Sequence, residues 1–386
     1  MPLKVARRGR VPPFMVMDVL RSANEMEASG SDVLHLELGQ PVTSAPLGVI
    51  RAAEDTLKSS KLGYTEALGE PSLRREISNW YKRRYQVDVP HHRIVITTGS
   101  SAAFVLAFLS AFEADDSVIV ANPSYPAYRN ILGALGLDAI GVTAGPSARF
   151  QLGSGSLDQF QETISGLIIA SPANPTGAII RESDLKSLSI SCCQRGIRLI
   201  SDEIYHGICF DEKEQTALKF DENAIVVGSF SKYFSMTGWR VGWMVVPDNL
   251  LRSVECLAQN LYISPPTLSQ IAAIAAFNCT DELDSNVSGY AKSRLFLIDN
   301  LGKMGFGQIA PVDGAFYVYA DVSGFYSDSA KFCSRLLDET GVAIAPGMDF
   351  DPVDGHRYVR VSFSGEFDHI VKAVDRMGNW LSGLKN

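Results

Sequence analysis

The sequence predicts an α/β protein: a mostly parallel central sheet in a large domain, and a smaller α/β domain assembled from the two ends of the chain. Three observations carry this. Between about residues 93 and 246, solid Val/Ile runs alternate with helical patterns, as expected for βα units whose sheet is covered on both faces. A chain of 386 residues divides into about two or three domains. From about residue 286 a long amphipathic segment leads into alternating strand patterns. The strand near the N-terminus has no evident domain of its own and is expected to pack with this C-terminal part. Residues 1–45 and 286–386 therefore form the small domain, and 46–285 the large one.

Each element has its signal. Phe14, Met17, Val19, Leu20, Ala23 and Met26 recur at helical spacing and stop at Gly30. Residues 33–38 read as a short strand that breaks at Gly39-Gln40-Pro41, where a glycine lets backbone approach a ligand. Helices follow at 46–60 and from Leu73 to Tyr85. Strands are expected at 94–97, 117–120, 139–142, 167–170, 198–202, 224–228 and 241–246, with helices at 102–112 and 182–195 among them. A helix-rich stretch, 250–277, is broken at Ser264-Pro265-Pro266, and 287–304 is one long amphipathic helix. Residues 314–320 alternate as a half-buried strand, 330–340 are helical, 358–363 form a strand carrying one charge, Arg360, and the C-terminus is helical. Ligands of parallel sheets bind beyond the carboxyl ends of the strands. Gly99, Ser100, Tyr125, Asn174, Asp202 and Lys232 all fall just past strand runs, which places them on one rim.

Composition is that of a globular protein, 46% hydrophobic and 20% charged. A net charge of −8 argues against bulk nucleic-acid binding and against a polybasic membrane surface. The six cysteines include neighbours Cys192 and Cys193 but no C-x-x-C pair, so reduced, mostly buried thiols in a cytoplasmic protein are expected rather than a zinc site or disulfide framework. The basic start lacks an apolar segment after it, and no apolar run is long enough to span a membrane.

The chemistry centres on Ser229-Phe230-Ser231-Lys232, with Arg240 eight positions after the lysine. A lysine held in a packed interior loses the solvation of its charged form, so its amine becomes nucleophilic toward an aldehyde. Serines and an arginine fork can hold a phosphate. Amine plus phosphate grip suggests a pyridoxal phosphate site. Gly99-Ser100-Ser101, where a strand hands over to a helix, can take phosphate or simply cap the helix. Asp202, ending a strand, needs a cationic partner, which a protonated pyridine nitrogen would supply. Tyr205 and Asn174 could bond the ring oxygen, and Tyr125 could stack on the ring face. Arg360 on an apolar strand needs either a substrate carboxylate or a buried acid.

In this order, the motifs resemble the class I/II, fold-type I, pyridoxal-phosphate-dependent aminotransferases, closest to a gamma-like bacterial subgroup. The similarity runs from Pro13-Phe14-Met15-Val16-Met17-Asp18 through Leu38-Gly39-Gln40-Pro41, Gly63-Tyr64-Thr65, Thr98-Gly99-Ser100 and Asn122-Pro123-Ser124-Tyr125-Pro126. It continues through Asn174-Pro175-Thr176-Gly177, Ser201-Asp202-Glu203-Ile204-Tyr205, Ser229-Phe230-Ser231-Lys232, Gly238-Trp239-Arg240-Val241-Gly242 and Tyr358-Val359-Arg360-Val361-Ser362-Phe363. The resemblance implies that Lys232 binds the cofactor aldehyde and shuttles the proton between substrate Cα and cofactor C4′. It implies that Asp202 meets the pyridine nitrogen, that Asn174 and Tyr205 meet the ring oxygen, and that Tyr125 stacks on the ring. Ser100, Ser101, Ser229, Ser231 and Arg240 would hold the phosphate, and Gly39 and Arg360 the substrate carboxylate. Tyr64 would reach the phosphate of a neighbouring subunit in a homodimer, and Asn174-Pro175 is a candidate cis bond.

One departure bears on substrate. Some aspartate-using members carry a basic residue just after the Gly-Ser turn, where this chain has Ser101 and Ala102. This weakens a dicarboxylate donor, and Phe14, Tyr317 and Tyr319 could line a more neutral pocket or belong to the core. The reading is a ping-pong transfer of an amino group between an amino acid and a 2-oxo acid. The alternatives are a carbon–sulfur or carbon–carbon lyase on the same scaffold and a regulatory domain without turnover. The lyase would release pyruvate and ammonia from cysteine-type substrates without an acceptor.

Overall fold

The computed structural model describes residues 3–384. In chain order its principal elements are α1 (Met15–Ala28), β1 (Leu34–His35), α2 (Leu47–Ser59), α3 (Pro71–Tyr85), β2 (Ile94–Thr97), α4 (Ser100–Ala111), β3 (Ser117–Asn122), α5 (Ala127–Leu135), β4 (Asp138–Thr143) and β5 (Gly166–Ala170). They continue with α6 (Glu182–Arg195), β6 (Arg198–Asp202), β7 (Ile225–Ser229), β8 (Gly242–Val245), α7 (Asp248–Leu261), α8 (Thr267–Ala276) and α9 (Thr280–Met304). The last are β9 (Tyr317–Asp321), α10 (Ser329–Thr340), β10 (Val342–Ala343), β11 (Ala345–Pro346), β12 (Tyr358–Ser362) and α11 (Phe367–Leu384).

Seven strands form one sheet in the order β2-β8-β7-β6-β5-β3-β4. All run parallel except β8, which is antiparallel to β2 and β7. Because side chains alternate across a strand, the continuous apolar runs feed two cores. Val95, Val118, Val120, Ile168, Ile200, Val227 and Met244 pack with Phe104 and Phe108 of α4, Leu132 of α5 and Val254 of α7. Their sequence neighbours Ile96, Ile119, Leu167, Ile169, Leu199, Val226 and Trp243 point the other way, among Ile77 of α3, Leu188 of α6, Ala272 of α8 and Leu297 of α9. Both faces are dry, which is why these strands read as solid rather than alternating patterns.

A second, small sheet has the order β11-β12-β9 and is antiparallel. Beside it β1 pairs in parallel with β10, Leu34 opposite Val342, and Ser362 N–H then donates to Leu36 O. The N-terminal segment is thereby laid across the end of β12 and delivered to Gly39.

Several elements differ from expectation. The strand expected at 33–38 contracts to two residues, since only those find a partner in β10. Strand β9 begins at Tyr317 rather than 314, after Ala315 adopts a positive φ of 56°, and it is wholly buried instead of half-buried. Helix α4 starts at Ser100, two residues early, and α5 was not anticipated. The cysteines are not mostly buried: Cys192 and Cys333 are, Cys193 is exposed, and the remaining three are intermediate. Among the described residues no helix is long and apolar enough to cross a membrane.

Candidate active site

The strand ends of the large sheet, Gly39 and β12 enclose a cavity of about 230 Å3. Of the residues expected on the rim, Gly39, Ser100, Ser101, Tyr125, Asn174, Asp202, Tyr205, Ser231, Lys232, Arg240 and Arg360 line it. Gly99 lies just behind, and Ser229 and Tyr64 do not reach it.

Lys232 is placed by its neighbours. Ser229 ends β7, and its hydroxyl accepts from Ser231 N–H at 3.0 Å, turning the chain. Ser229 itself faces a separate, smaller cavity beside Trp80 and Trp243. Phe230 drives into the core, its ring 4.9 Å from Phe234, 5.1 Å from Trp243 and 5.6 Å from Phe277. The lysine that follows is forced to the opposite side, where Nζ donates to Gly39 O at 2.6 Å. Burial, and then the charge of Arg360, pull this amine down to about 8.

Asp202 closes β6. Its Oδ1 accepts from Ile204 N–H at 3.1 Å and its Oδ2 from the Tyr128 hydroxyl. Burial raises the carboxyl to about 6, against the pull of those two bonds. Tyr128 was missed in the sequence. It lies one helical turn beyond Tyr125, so both rings meet the cavity, 5.5 Å apart and edge to face. Tyr125 in turn meets Phe14 at 5.9 Å, and burial pushes its phenol up to about 12.

The anion-binding end is built at the start of α4. Gly99 is the residue before the helix, at φ +78°, and no side chain caps the first turn. A Cβ at Gly99 would collide with the Arg240 guanidinium. That guanidinium is anchored by Nη1 donating to Thr237 O at 3.0 Å. Unbonded first-turn N–H groups beside an arginine and the hydroxyls of Ser100, Ser101, Ser231 and Thr237 make a phosphate-like site. The serines here do not cap the helix, which removes the simpler of the two alternatives for this turn.

The other end is built on Arg360, which is 2% exposed. Nη1 donates to Asn174 Oδ1 at 2.9 Å, and Nη2 donates to Glu37 O. Its plane lies over the rings of Tyr317 at 4.4 Å and Phe350 at 4.6 Å. Buried Nε has no partner, and among the described residues no carboxylate pairs with this guanidinium. The buried-acid alternative is therefore not what the fold provides. Asn174 precedes a cis proline, and its amide nitrogen remains as the donor side of the group. Gly39 is required here, because a Cβ would strike the Tyr317 hydroxyl. That hydroxyl also meets Tyr205 Oη at 2.7 Å. Tyr319 is core rather than pocket wall: it stacks on Tyr358 at 4.7 Å.

Around the cavity Asp202 is the acid and Lys232, Arg240 and Arg360 are the cations; Phe14, Val16 and Leu38 add apolar wall. The arrangement can hold two anionic groups with an amine and a carboxyl between them.

Comparisons with known proteins identify the family. The family model for class I and II aminotransferases matches residues 31–377. The chain is 49% identical over 382 residues to a valine–pyruvate aminotransferase of Mycobacterium tuberculosis, covering 98% of each chain. It is 30% identical to an aspartate aminotransferase of Thermotoga maritima, covering 98% of this chain and 99% of the other. Among solved structures it is similar to an aminotransferase from Mycobacterium tuberculosis, with TM-score 0.97, 48% identity and 99% and 100% of the two chains covered. It is also similar to the aspartate aminotransferase of Thermus thermophilus, with TM-score 0.92, 26% identity and coverage of 98% and 100%. The chain belongs to the class I and II aminotransferases, a family whose members use pyridoxal phosphate.

Proposed function

We propose that this cavity holds pyridoxal phosphate and the substrate together, that the amino donor is a neutral amino acid, and that the reaction is ping-pong. The observation that carries the site is the unpaired, buried Nε of Arg360 in the same cavity as a buried lysine whose amine is pulled down to about 8. The residues fit the cofactor: an uncapped helix start with Arg240 for a phosphate, a buried carboxyl for a protonated ring nitrogen, and an amine for an aldehyde.

When bound, pyridoxal phosphate supplies the electron sink that makes a substrate Cα–H acidic. Everything else falls to the chain. Asp202 would be held ionised by a ring-nitrogen proton, with Tyr128 and Ile204 N–H fixing its orientation. Tyr205 and the Asn174 amide would donate to the ring oxygen, and Tyr125 would cover the ring. Ser100, Ser101, Ser231 and Arg240, with Gly99 allowing the close approach, would hold the phosphate. Ser229 supports that group through its bond to Ser231 N–H. Arg360 and the backbone of Gly39 would take the substrate carboxylate and so direct the Cα–H toward Lys232, whose Nζ moves the proton.

A neutral donor is favoured by the wall. Past Arg360 the side-chain space meets Phe14, Val16, Leu38 and Tyr125, and among the described residues of this chain no further cation lines it to pair with a second carboxylate. The Mycobacterium tuberculosis relative carries valine in its name, which points the same way. A homodimer belongs to the same reading. Tyr64 is 83% exposed and lies outside this chain's cavity, while Leu47, Ile50 and Leu57 form an exposed apolar stripe along α2.

The test is a panel of amino donors against pyruvate and 2-oxoglutarate, following the cofactor spectrum in each half-reaction. Valine-like donors should convert at least tenfold more efficiently than aspartate, and Lys232→Ala should abolish turnover. Efficient aspartate use, an active Lys232→Ala variant, or pyruvate and ammonia released from cysteine without an acceptor would each overturn the reading.

A further inference from the structure

Tyr317 touches three groups that the site depends on, and nothing above gives it a task. It is 1% exposed. Its position is set by backbone bonds to the very segments that carry the other groups. Gly314 N–H donates to Gly177 O, three residues beyond Asn174, and Ala315 N–H donates to Ile208 O, three beyond Tyr205. Phe363 N–H, from just past β12, donates to Phe316 O. In the β9–β12 register, Tyr319 is opposite Arg360, so Tyr317 is its diagonal neighbour on the same face, within reach of a long side chain. The ring therefore lies under the guanidinium, and the hydroxyl ends between Gly39 Cα and Tyr205 Oη.

Two phenols share one hydrogen bond of 2.7 Å. Whichever donates, the other keeps its own O–H for a second partner. The Arg360 guanidinium lies 4.4 Å over the Tyr317 ring, closer than the Lys232 amine, 5.7 Å over the Tyr205 ring, and this favours Tyr317 as the donor, with Tyr205 accepting and its own O–H left for the cavity. A phenol that accepts one hydrogen bond is polarised into a stronger donor of the next.

Building on the cofactor reading above, we propose that Tyr317 is a positioning residue: its hydroxyl donates to Tyr205 and so aims and strengthens the Tyr205 O–H toward the cofactor's ring oxygen. This role is separable from the ring of Tyr317, which serves only as the floor under Arg360.

The test is Tyr317→Phe, which keeps the ring and removes the hydroxyl. The holoenzyme's absorbance is titrated against pH without substrate. A weaker donor at the ring oxygen leaves more negative charge there to hold the chromophore's proton. The midpoint should rise by about twofold to tenfold in proton affinity, the range of one neutral hydrogen bond. Affinity of the apoprotein for pyridoxal phosphate should fall by a similar factor. The affinity of the holoenzyme for 3-methylbutanoate, a plain carboxylate, should not change, because the floor under Arg360 remains. In a Tyr205→Phe background the same substitution should shift nothing further. An unmoved midpoint, an equal shift in the Tyr205→Phe background, or a parallel loss of carboxylate affinity would overturn the proposal. A wild-type protein that takes up no cofactor would refute the underlying site assignment instead.

Discussion

Replacing Arg360 by lysine asks most of the site. The guanidinium serves three customers from one plane: Asn174 Oδ1 through Nη1, Glu37 O through Nη2, and an incoming carboxylate through the remaining donors, including the unpaired Nε. An ammonium is a point donor and cannot span all three. Loss of one charged hydrogen bond to the carboxylate costs about 1.5–3 kcal/mol, which is roughly 10- to 150-fold in kcat/KM at about 1.4 kcal/mol per decade. Leaving either internal acceptor unsatisfied costs about 1–3 kcal/mol of stability as well, so Tm should fall measurably. The assay is the half-reaction of the cofactor-loaded protein with an amino acid and, separately, with an alkylamine of the same side chain that lacks the carboxylate. Arg360→Lys should slow the first and leave the already slow second unchanged. Equal losses on both, or none on the amino acid, would refute the assignment of Arg360 as the carboxylate partner.

Two further outcomes follow from the geometry. Asp202 has a folded-state pKa raised by burial from 3.8 to about 6. The folded apoprotein thus binds an extra proton between those values, and the stability it gains below pH 4 is lost as pH rises through about 6, a ceiling of roughly 3 kcal/mol at about 1.36 kcal/mol per unit. Apo Asp202→Asn should therefore be more stable than wild type at pH 7.5 and no more stable at pH 4; a pH-independent difference would contradict this. Gly39→Ala places a methyl group against the Tyr317 hydroxyl, and overpacking of this kind costs about 1–3 kcal/mol. Its kcat/KM should drop at least tenfold with Lys232 still reactive, and an unaffected variant would show that this contact is slack.

The large sheet was legible because its inner strands are buried on both faces, so the Val/Ile runs mark them directly; β2 and β6 fall at the expected residues. The two-residue strands β1, β10 and β11 were not legible, since two residues carry no period and exist only through their partners, which for β1 and β10 lie about three hundred positions apart. The same limit applies in the site. Lys232, Asp202 and Asn174 stand at or just past the ends of strand runs, and their position, residue type and motif neighbours made them legible. Tyr128 was missed because its helix went unrecognised, although a tyrosine three residues after Tyr125 is the visible clue once a helix is drawn there. Tyr317 and Tyr319 share a face of β9, and alternation alone cannot separate them. The second lies about 7 Å farther along the strand, beyond the cavity and against Tyr358. Ser229 and Ser231 likewise look equivalent in sequence; the bond from Ser231 N–H to Ser229 Oγ turns them in different directions.

The central claim is that the amine of Lys232 is the group that captures the cofactor aldehyde, and its most direct measurement is chemical trapping. The protein is incubated with pyridoxal phosphate at pH 8, reduced with borohydride, digested and mapped by mass spectrometry. A single stoichiometric phosphopyridoxyl mark on the peptide carrying Lys232 is the predicted result. Marks scattered over surface lysines, or a stoichiometric mark elsewhere, would contradict the account.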